Sequence, residues 1–417
     1  MATYKKNLMA FGTTFIVILS ACNHSTGTSA SAPADSDTTK NAPVETEAPN
    51  SDYKPAFAGQ TRGPSAKTTT PFSVTLVNSV LKRPWGIALL PDGRFLISQK
   101  EEGTLRLVTA DGKSDKTITG LPAVVADGQG GLLDVIADPD FAYNRVVFWD
   151  YSERTADGLL VLAVAKGKLS DDETKIENPT VIYRATPAYK GSIQFGSRIV
   201  FDKEGNLFVS TGERSDPEIR IQAQQLNSAL GKIVHITKDG KPVPNGPFAH
   251  TSDARPEVYA LGLRSPEGLA WNPTTGELWE AEFGPRGGDE INIIRPGKNY
   301  GWPVITYGIE YSGKKVGDAI QVKGGMEQPI YYWDPVIAPS GITFYDSDVI
   351  PEWKGNLFIA NLKTMHIDRL VIKDDKVVGE ERLLTDLHHR FRAITQGKDG
   401  ALYTVTDEGQ LYKIAKK

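Results

Sequence analysis

Residues 282–303 combine oxygen-bearing side chains with a concentration of glycine and proline. The glycines and prolines of this stretch are Gly284, Pro285, Gly287, Gly288, Pro296, Gly297, Gly301 and Pro303. Such a density excludes a regular helix or a long strand and requires turns with unusual backbone angles. The carboxylates of Glu282, Asp289 and Glu290, with the main-chain carbonyls, are oxygen ligands of the kind that Ca²⁺ prefers. The stretch indicates a cation site without EF-hand spacing, and the alternative is a long surface loop with solvated charges.

Two motifs within this stretch carry a family resemblance. The first reads Gly-Pro-Arg-Gly-Gly-Asp-Glu-Ile-Asn at residues 284–292, and the second reads Gly-Lys-Asn-Tyr-Gly-Trp-Pro at residues 297–303. Together they resemble the signature of the soluble quinoprotein aldose sugar dehydrogenases, six-bladed β-propellers that use pyrroloquinoline quinone (PQQ) and Ca²⁺. The resemblance extends from about Arg83 to the C-terminus. It implies oxidation of aldoses at C1 to lactones, with electrons passed to a periplasmic acceptor.

A PQQ site needs cations, because the cofactor is a planar quinone with three carboxylates. The resemblance implies that Lys363, Arg390 and Arg392 bind these carboxylates, and the guanidinium fork suits that task. Arg390 and Arg392 are two residues apart in a strand-like segment, so their side chains face the same way. For each cation the alternative is an ordinary solvated side chain. The further cofactor contacts that the resemblance implies are Gln129, Arg264, Ser265, Tyr311, Leu362, Thr364 and Phe391.

The resemblance also implies the metal ligands and one catalytic group. The cofactor Ca²⁺ is expected at the main-chain carbonyls of Gly284 and Pro285, and a second, structural Ca²⁺ at Glu290 and Tyr300. Arg264 corresponds to the arginine beside the reactive quinone carbonyl, where a guanidinium stabilises oxyanion charge.

The catalytic base is where this sequence departs from the family. The family segment reads His-Phe-Gly-Ser-Arg, whereas here Gln194 precedes Phe-Gly-Ser-Arg. Glutamine has no basic group near neutral pH and does not replace imidazole. Glu213 corresponds to the carboxylate that orients the family histidine, and one hypothesis makes it the base, directly or through a water, if burial adjusts its pKa. His366, close to Lys363 in sequence, is the histidine to examine.

A hairpin pattern recurs six times between residue 86 and residue 405, and it predicts the fold. Each copy has two strands with alternating apolar residues, and most have a turn with glycine or asparagine, which tolerates positive φ. The copies span residues 86–97, 132–149, 198–210, 268–279, 341–359 and 393–405. Six such units bury their faces by packing around an axis. The prediction is an all-β, six-bladed β-propeller of four-stranded antiparallel blades over residues 71–417, with a β-sandwich as the alternative.

The N-terminal 22 residues have the pattern of a secretory signal. Lys5 and Lys6 precede an apolar run that is short for a membrane span, and the run ends in Leu-Ser-Ala-Cys, a lipobox-like sequence. Cys22 is the only cysteine, and lipidation gives a purpose to a thiol that has no disulfide partner. The alternative is ordinary cleavage beside an incidental cysteine. Asn23 after the cysteine favours the periplasmic side of the outer membrane.

The polar residues 23–70 contain few large apolar side chains, which predicts a disordered tether. The net charge of −4 argues against a nucleic-acid surface. The expected partners are an aldose, a periplasmic electron acceptor and the membrane through the lipid anchor alone, and the protein is expected as a monomer or homodimer. Two functions remain open. The first is a PQQ- and Ca²⁺-dependent dehydrogenase, and the second is a catalytically weakened propeller that binds PQQ, a sugar or a partner.

Overall fold

The computed structural model describes residues 41–417. The predicted signal peptide, the lipidation site Cys22 and residues 23–40 of the predicted tether lie outside the described residues. Within 41–417 the chain forms six four-stranded sheets in which all neighbouring strands are antiparallel. The predicted six-bladed β-propeller is confirmed.

The sheets follow one another along the chain, except that β1 (Phe72–Asn78) belongs to the last one. Blade 1 consists of β2 (Pro84–Leu89), β3 (Phe95–Gln99), β4 (Thr104–Val108) and β5 (Asp115–Ile118). Blade 2 consists of β6 (Leu132–Ala137), β7 (Val146–Arg154), β8 (Leu160–Leu169) and β9 (Ile176–Tyr189). Blade 3 consists of β10 (Ile199–Phe201), β11 (Leu207–Thr211), β12 (Lys232–Ile236) and β13 (Val258–Leu261).

Blade 4 consists of β14 (Pro266–Trp271), β15 (Leu278–Glu282), β16 (Asp289–Ile294) and β17 (Tyr331–Trp333). Blade 5 consists of β18 (Pro339–Phe344), β19 (Leu357–Asn361), β20 (Ile367–Lys373) and β21 (Lys376–Leu383). Blade 6 consists of β22 (Phe391–Gln396), β23 (Leu402–Thr406), β24 (Leu411–Lys416) and β1. Among residues 41–417, helical structure is limited to α1 (Phe141–Asn144) and the 3₁₀ turns Arg220–Gln224 and Pro351–Trp353.

The six predicted hairpins are the first two strands of the six blades. The first strand of each blade contacts the first strand of the next, so these strands surround the axis. Gly93 and Gly205 close two of the hairpins with φ of 89° and 81°, a region that glycine adopts without steric cost. Each hairpin therefore has a turn at one end of the propeller and an open end at the other.

Apolar cores fill the gaps between neighbouring blades. Blades 1 and 2 enclose Trp149 and blades 4 and 5 enclose Trp279, both without exposed surface. Further clusters lie between blades 2 and 3, 3 and 4, 5 and 6, and 6 and 1. The ring is closed by β1, which pairs with the C-terminal strand from Phe72↔Lys416 onward. This packing gives each sheet two buried faces, as the repeat pattern requires.

The described part of the predicted tether is ordered, and the prediction is wrong for residues 41–70. This segment lies across the outer strands of blades 4 and 5, where Gln60 is fully buried. Thr68 donates main-chain and side-chain hydrogen bonds to Glu381 at 2.6 and 2.7 Å, and Ser65 pairs with Glu380 as a parallel bridge. The prediction of disorder from composition failed because hydrogen bonds between polar groups, rather than burial of apolar side chains, hold the segment. We call residues 41–66 the strap.

No helix among residues 41–417 has the length and apolar character needed to cross a membrane.

Candidate cofactor and substrate site

A cavity of about 730 Å³ lies at the open ends of the hairpins. Most of its walls come from residues at the start of the first strand of a blade or just after the second, and all six blades contribute. Six cationic side chains line it: Arg83, Lys100, Arg286, Lys363, Arg390 and Arg392. Three acidic side chains, Glu267, Asp289 and Asp407, also line it, which leaves a formal excess of three cations. The cavity therefore suits a ligand with several negative charges.

Arg390 and Arg392 meet at the carboxylate of Asp407, which follows the neighbouring strand β23. Their Nε atoms each donate to Asp407 at 2.9 Å. Burial would raise the pKa of Asp407, but the two guanidiniums, Arg392 foremost, lower it to about 2. Arg390 also donates to the carbonyl of Leu362 at 3.0 Å, close to the exposed Lys363. We call Arg390, Arg392 and Asp407 the arginine clamp.

Gln194, at the position of the family base, is buried between the carboxyl group of Glu213 and the guanidinium of Arg264. In the amide orientation that satisfies both neighbours, its nitrogen donates to Glu213 at 2.5 Å and its oxygen accepts from Arg264 at 2.6 and 3.1 Å. The main-chain N–H of Gln194 donates to Oε1 of Gln129 at 2.6 Å. Gly212 packs against the Gln194 carbonyl so closely that a Cβ would lie 2.1 Å from the oxygen. The backbone at this point is therefore tightly fixed.

Glu213 lies behind Gln194 and has no exposed surface. Burial raises its pKa to about 7, against the lowering effect of Arg264 and of the N–H of Ser215. Like Gln194 and Arg264, Glu213 is not among the residues that line the cavity, whereas Phe195 and Gly196 are. The hypothesis that Glu213 acts as the base, directly or through a water, stays a prediction.

Arg264 connects Gln194 with the glycine-rich loop of residues 284–288. Its Nη1 donates to the carbonyls of Phe283 and Gly284 at 3.0 and 2.7 Å. Its Nε is buried without a partner. Gly284 and Pro285, the expected carbonyl ligands of the cofactor Ca²⁺, line the cavity. Both residues thus lie at the cavity, but the Gly284 carbonyl already accepts from Arg264, and its role as a Ca²⁺ ligand stays a prediction.

Three buried carboxylates lie beside Arg264 on β15 and β16, and we call Glu280, Glu282 and Glu290 the acidic cluster. Glu282 faces Glu290 across the strands, and Glu280 faces Asn292. Burial raises the pKa of Glu282 to about 8 and those of Glu280 and Glu290 well above their usual range, and the neighbouring Glu282 raises the pKa values of Glu280 and Glu290 further. Glu280 Oε1 and Asn292 Oδ1 are buried without a partner.

Glu282 and Glu290 of the acidic cluster border a small cavity of about 10 Å³, whose walls also include Gly284, Gly288 and Tyr300. In the described residues the side chains do not converge as a ready-made centre of three or more metal-binding groups. The unpartnered oxygens nevertheless suit a hard cation, because they are acceptors that lack donors. The hydroxyl of Tyr300 donates to Ile293 at 2.6 Å, so of this residue only the main-chain oxygen remains for such a role.

The other predicted contacts divide into two groups. Gln129, Tyr311 and Leu362 line the cavity, and Tyr311 is 69% exposed. Ser265, Thr364 and Phe391 do not line it. Ser265 is buried and donates to Glu267 at 3.3 Å, and Thr364 approaches the carbonyl of Ile337. Phe391 has no exposed surface and packs in the core between blades 5 and 6. The alternation that turns both arginines inward turns Phe391 outward, so its assignment as a cofactor contact is a correction.

No histidine within residues 41–417 lines the cavity. His366 is buried, with its ring nitrogens 3.0 Å from the carbonyl of Thr364 and 3.1 Å from Asp368. Sequence reasoning missed Lys100, Glu267 and Asp407 in the wall. The positions of Lys100 and Asp407 could have indicated them, because both directly follow the second strand of a hairpin. Lys363 lies close after the second strand of another hairpin. Lys100 donates to the carbonyl of Gly128 at 2.9 Å, and burial, then Arg392 and Arg83, lower its pKa.

The structure is a six-bladed propeller with a cavity, lined mainly by cationic groups among its charged side chains, at the open ends of the hairpins. Residues 81–413 match the Glucose / Sorbosone dehydrogenase family, and the chain belongs to that family. It is 42% identical over 348 residues to the aldose sugar dehydrogenase YliI of Escherichia coli (strain K12), covering 83% of this chain and 93% of the relative.

Solved structures give the same relationship. The soluble aldose sugar dehydrogenase of Escherichia coli in its apo form has a TM-score of 0.79 at 42% identity, covering 83% of this chain and all of that one. The PQQ-bound form of aldose sugar dehydrogenase from Streptomyces coelicolor has a TM-score of 0.68 at 28% identity, covering 84% of this chain and 99% of that one. The predicted family is confirmed.

Proposed function

We propose that this protein is a PQQ- and Ca²⁺-dependent dehydrogenase that oxidises aldoses at C1 to lactones. The observation that carries the proposal is the excess of three cations in the axial cavity, which equals the number of carboxylates on PQQ. The PQQ-bound form of the Streptomyces coelicolor relative supports the choice of cofactor. Bound PQQ supplies the hydride acceptor, and Ca²⁺ supplies the Lewis acid that polarises it.

The residues present fit both groups. Lys363, Arg390 and Arg392 would hold the cofactor carboxylates, and the arginine clamp keeps two guanidiniums in place before any ligand arrives. The carbonyls of Gly284 and Pro285 would hold the cofactor Ca²⁺. Glu290 and the main chain at Tyr300, which border the small cavity, would hold the second, with the unpartnered oxygens of Glu280 and Asn292 on the same pair of strands.

Arg264 and Gln194 determine what the chain itself contributes near the reacting hydroxyl. Arg264 has an unpartnered Nε and lies beside the loop, which suits stabilisation of negative charge. Gln194 holds Glu213 and Arg264 together, but its amide does not accept a proton near neutral pH. Proton transfer from the sugar therefore relies on solvent, and we expect turnover to be slower than in relatives with histidine here.

A second candidate function follows from Gln194 alone. A propeller that binds PQQ and a sugar without turnover would keep the arginine clamp and the acidic cluster and lose only the base. The two candidates make the same prediction for cofactor binding and opposite predictions for aldose oxidation.

The deciding experiment titrates PQQ against purified apoprotein, once with CaCl₂ and once with chelator, and then follows aldose-dependent dye reduction. We expect tight binding with Ca²⁺, weak binding with chelator, and slow but saturable reduction of the dye. Equal binding in both titrations, or none, would refute the proposed cofactor pair. Binding without any dye reduction by a panel of aldoses would favour the second candidate.

The cellular placement belongs to the same proposal. The basic N-terminus, the apolar run and the lipobox-like Leu-Ser-Ala-Cys support export and lipid attachment at Cys22. We propose the periplasmic side of the outer membrane, with a periplasmic electron acceptor and a monomer or homodimer as the working form. Mass spectrometry of the mature protein from its host would detect the acyl chains, and an unmodified Cys22 would contradict the proposal.

A further inference from the structure

The strap reaches the glycine-rich loop of the cavity through one side chain, Asn50. Its Oδ1 accepts from Nε of Arg286 at 3.0 Å, and its Nδ2 donates to Asp334 at 2.9 Å. Arg286 belongs to the 284–288 loop and lines the cavity. A half-buried residue near the N-terminal edge of the described chain therefore contacts the loop to which the proposed cofactor Ca²⁺ is assigned.

Asp334 extends this contact to the loop backbone. Its carboxylate accepts from the main-chain N–H groups of Asn50 and Ser51 at 2.8 and 3.1 Å and from the Ser51 hydroxyl at 3.0 Å. Gly287 packs against the same carboxylate, because a Cβ there would lie 2.7 Å from Oδ1 of Asp334. The strap fixes Asp334, and Asp334 limits where the turn at Gly287 lies.

The strap also braces the other side of the loop. Gln60 donates to the carbonyl of Pro329 at 2.8 Å and accepts from the hydroxyl of Tyr307 at 3.1 Å. The main chain at Tyr307 and Gly308 lies against Gly288, where a Cβ would be 2.6 Å from the Gly308 nitrogen. Both flanks of the loop are thus held by side chains of one N-terminal segment.

These contacts restrain the backbone of the 284–288 loop before any ligand binds. Glycine at positions 284, 287 and 288 gives the free loop more conformational freedom than other residues would. Carbonyl ligands are aimed by the backbone alone, so their orientation depends on what holds the backbone. Restraint before binding reduces the ordering cost and increases affinity.

We propose that the strap is a positioning element of the 284–288 loop, acting through Asn50, and that it increases the affinity of the Ca²⁺–PQQ site. The proposal rests on the proposed function for its ligand, but not for the contact between strap and loop. Asn50 touches neither cofactor nor substrate; it acts through Arg286 and Asp334.

A matched pair of strap variants tests this, with Asn50→Ala as the probe and Asn41→Ala as the control. Asn41 also lies in the strap, but its side chain donates to the carbonyl of Ser65 at 2.9 Å, away from the loop. PQQ binding to the full chain is followed by tryptophan fluorescence at a series of Ca²⁺ concentrations, together with thermal denaturation. For Asn50→Ala we expect the half-saturating Ca²⁺ concentration to rise about ten-fold, with binding restored by excess Ca²⁺. Asn41→Ala should match wild type.

A second measurement uses the apoprotein without any cofactor. Trypsin cleaves after Arg286 only when the loop opens, and mass spectrometry quantifies the peptide that ends there. Asn50→Ala should release this peptide several-fold faster than Asn41→Ala, at melting temperatures that agree. Equal cleavage and equal Ca²⁺ dependence would overturn the proposal, as would parallel changes that follow the melting temperature in both variants. If wild type fails to bind PQQ, the proposed function fails, and the cleavage rates alone decide the role of the strap.

Discussion

The arginine clamp and the acidic cluster lie at the same end of the propeller, and their charges are satisfied in opposite ways. In the clamp, two guanidiniums surround one carboxylate, and the pKa of Asp407 falls to about 2 despite its burial. In the cluster, burial and mutual repulsion raise the pKa values of three carboxylates, and Glu280 Oε1 has no partner. The clamp has donors to spare and the cluster has acceptors to spare.

The two regions therefore suit ligands of opposite charge, the clamp an anion and the acidic cluster a cation. A buried carboxylate without a cation is costly, so the acidic cluster is stable only when protonated or when it meets a cation. The cost is smaller in the clamp, because Asp407 offsets one of the two positive charges and the side chain of Arg390 is partly exposed. Arg264 links the acidic cluster to Gln194, since its main-chain N–H donates to Glu282 at 2.5 Å and its side chain donates to the amide oxygen of Gln194.

The largest expected effect is on the clamp side of the comparison. Arg392→Met removes a buried guanidinium that would bind a cofactor carboxylate, and we expect PQQ affinity to fall by about 10²-fold. Fluorescence titration at saturating Ca²⁺ measures the loss. Because Asp407 loses a partner in this variant, its melting temperature is recorded as well.

Lys363→Met gives the same comparison without disturbing an ion pair, because Lys363 is exposed and its side chain pairs with no carboxylate among the described residues. We expect it to fold as wild type and to bind PQQ about ten-fold more weakly. Lys203→Met, in the hairpin turn at the opposite end, is the control. PQQ affinity that is unchanged in both Arg392→Met and Lys363→Met would show that the cation excess of the cavity serves another ligand.

The next effect concerns Gln194, which Arg264 links to the acidic cluster. In Gln194→His the imidazole can donate to Glu213 and accept a proton from a sugar hydroxyl, and a positioned base contributes about 10²–10⁴-fold to rate. Because the side chain at position 194 also contacts Arg264, we expect a gain at the lower end of this range, about 10²-fold in kcat. Activity should rise with pH through the imidazole pKa, near 6.5 when unperturbed, since the base acts when it is unprotonated.

The controls for this variant are Glu213→Gln and the double variant, compared under saturating PQQ and Ca²⁺. Glu213 has a pKa of about 7 and ionises where the new histidine needs its support. The double variant should therefore lose part of the gain. A wild type as fast as Gln194→His would contradict the idea that proton transfer limits turnover.

Features that depend on local sequence were predictable, and features that depend on contacts between residues distant in sequence were not. The six hairpins were predictable because alternation and turn residues are local signals. The inward direction of Arg390 and Arg392 followed from strand periodicity, and the same periodicity should have excluded Phe391 from the cavity. The partnership of Asp407 with these arginines depends on strand pairing, which the sequence does not display.

The strap was unpredictable for the same reason. Asn50 and Asp334 are 284 residues apart, and no composition rule marks a polar segment that is held by distant carboxylates. The burial of Glu213, and with it a pKa of about 7, likewise depends on packing between blades. Lys363, Arg390 and Arg392 were predicted for the cavity from their own charge and position, whereas residues such as Asp407, placed by a neighbouring strand, were not.

The smallest expected effect is on stability, and its sign reverses with Ca²⁺. Glu280→Gln replaces a fully buried carboxylate whose Oε1 has no partner, and burial raises the pKa of this group well above 4.5. Between pH 4.5 and the folded-state pKa, the native protein holds a proton that the unfolded chain has released, so stability falls as pH rises. At pH 8 without Ca²⁺ we expect the variant to be more stable than wild type, by about 1–3 kcal/mol, and to show a weaker pH dependence.

With Ca²⁺ the order should reverse, because a cation that binds only the folded state stabilises it by mass action, and the variant has lost a negative ligand. Thermal denaturation at pH 5.5 and 8, each with CaCl₂ and with chelator, measures both arms. Glu204→Gln, in an exposed hairpin turn, makes the same chemical change outside the cluster and should leave all four melting temperatures near those of wild type. A variant that gains as much from Ca²⁺ as wild type would remove Glu280 from the cation site. The acidic cluster would then be a proton-dependent element of the fold rather than the counterpart of the arginine clamp.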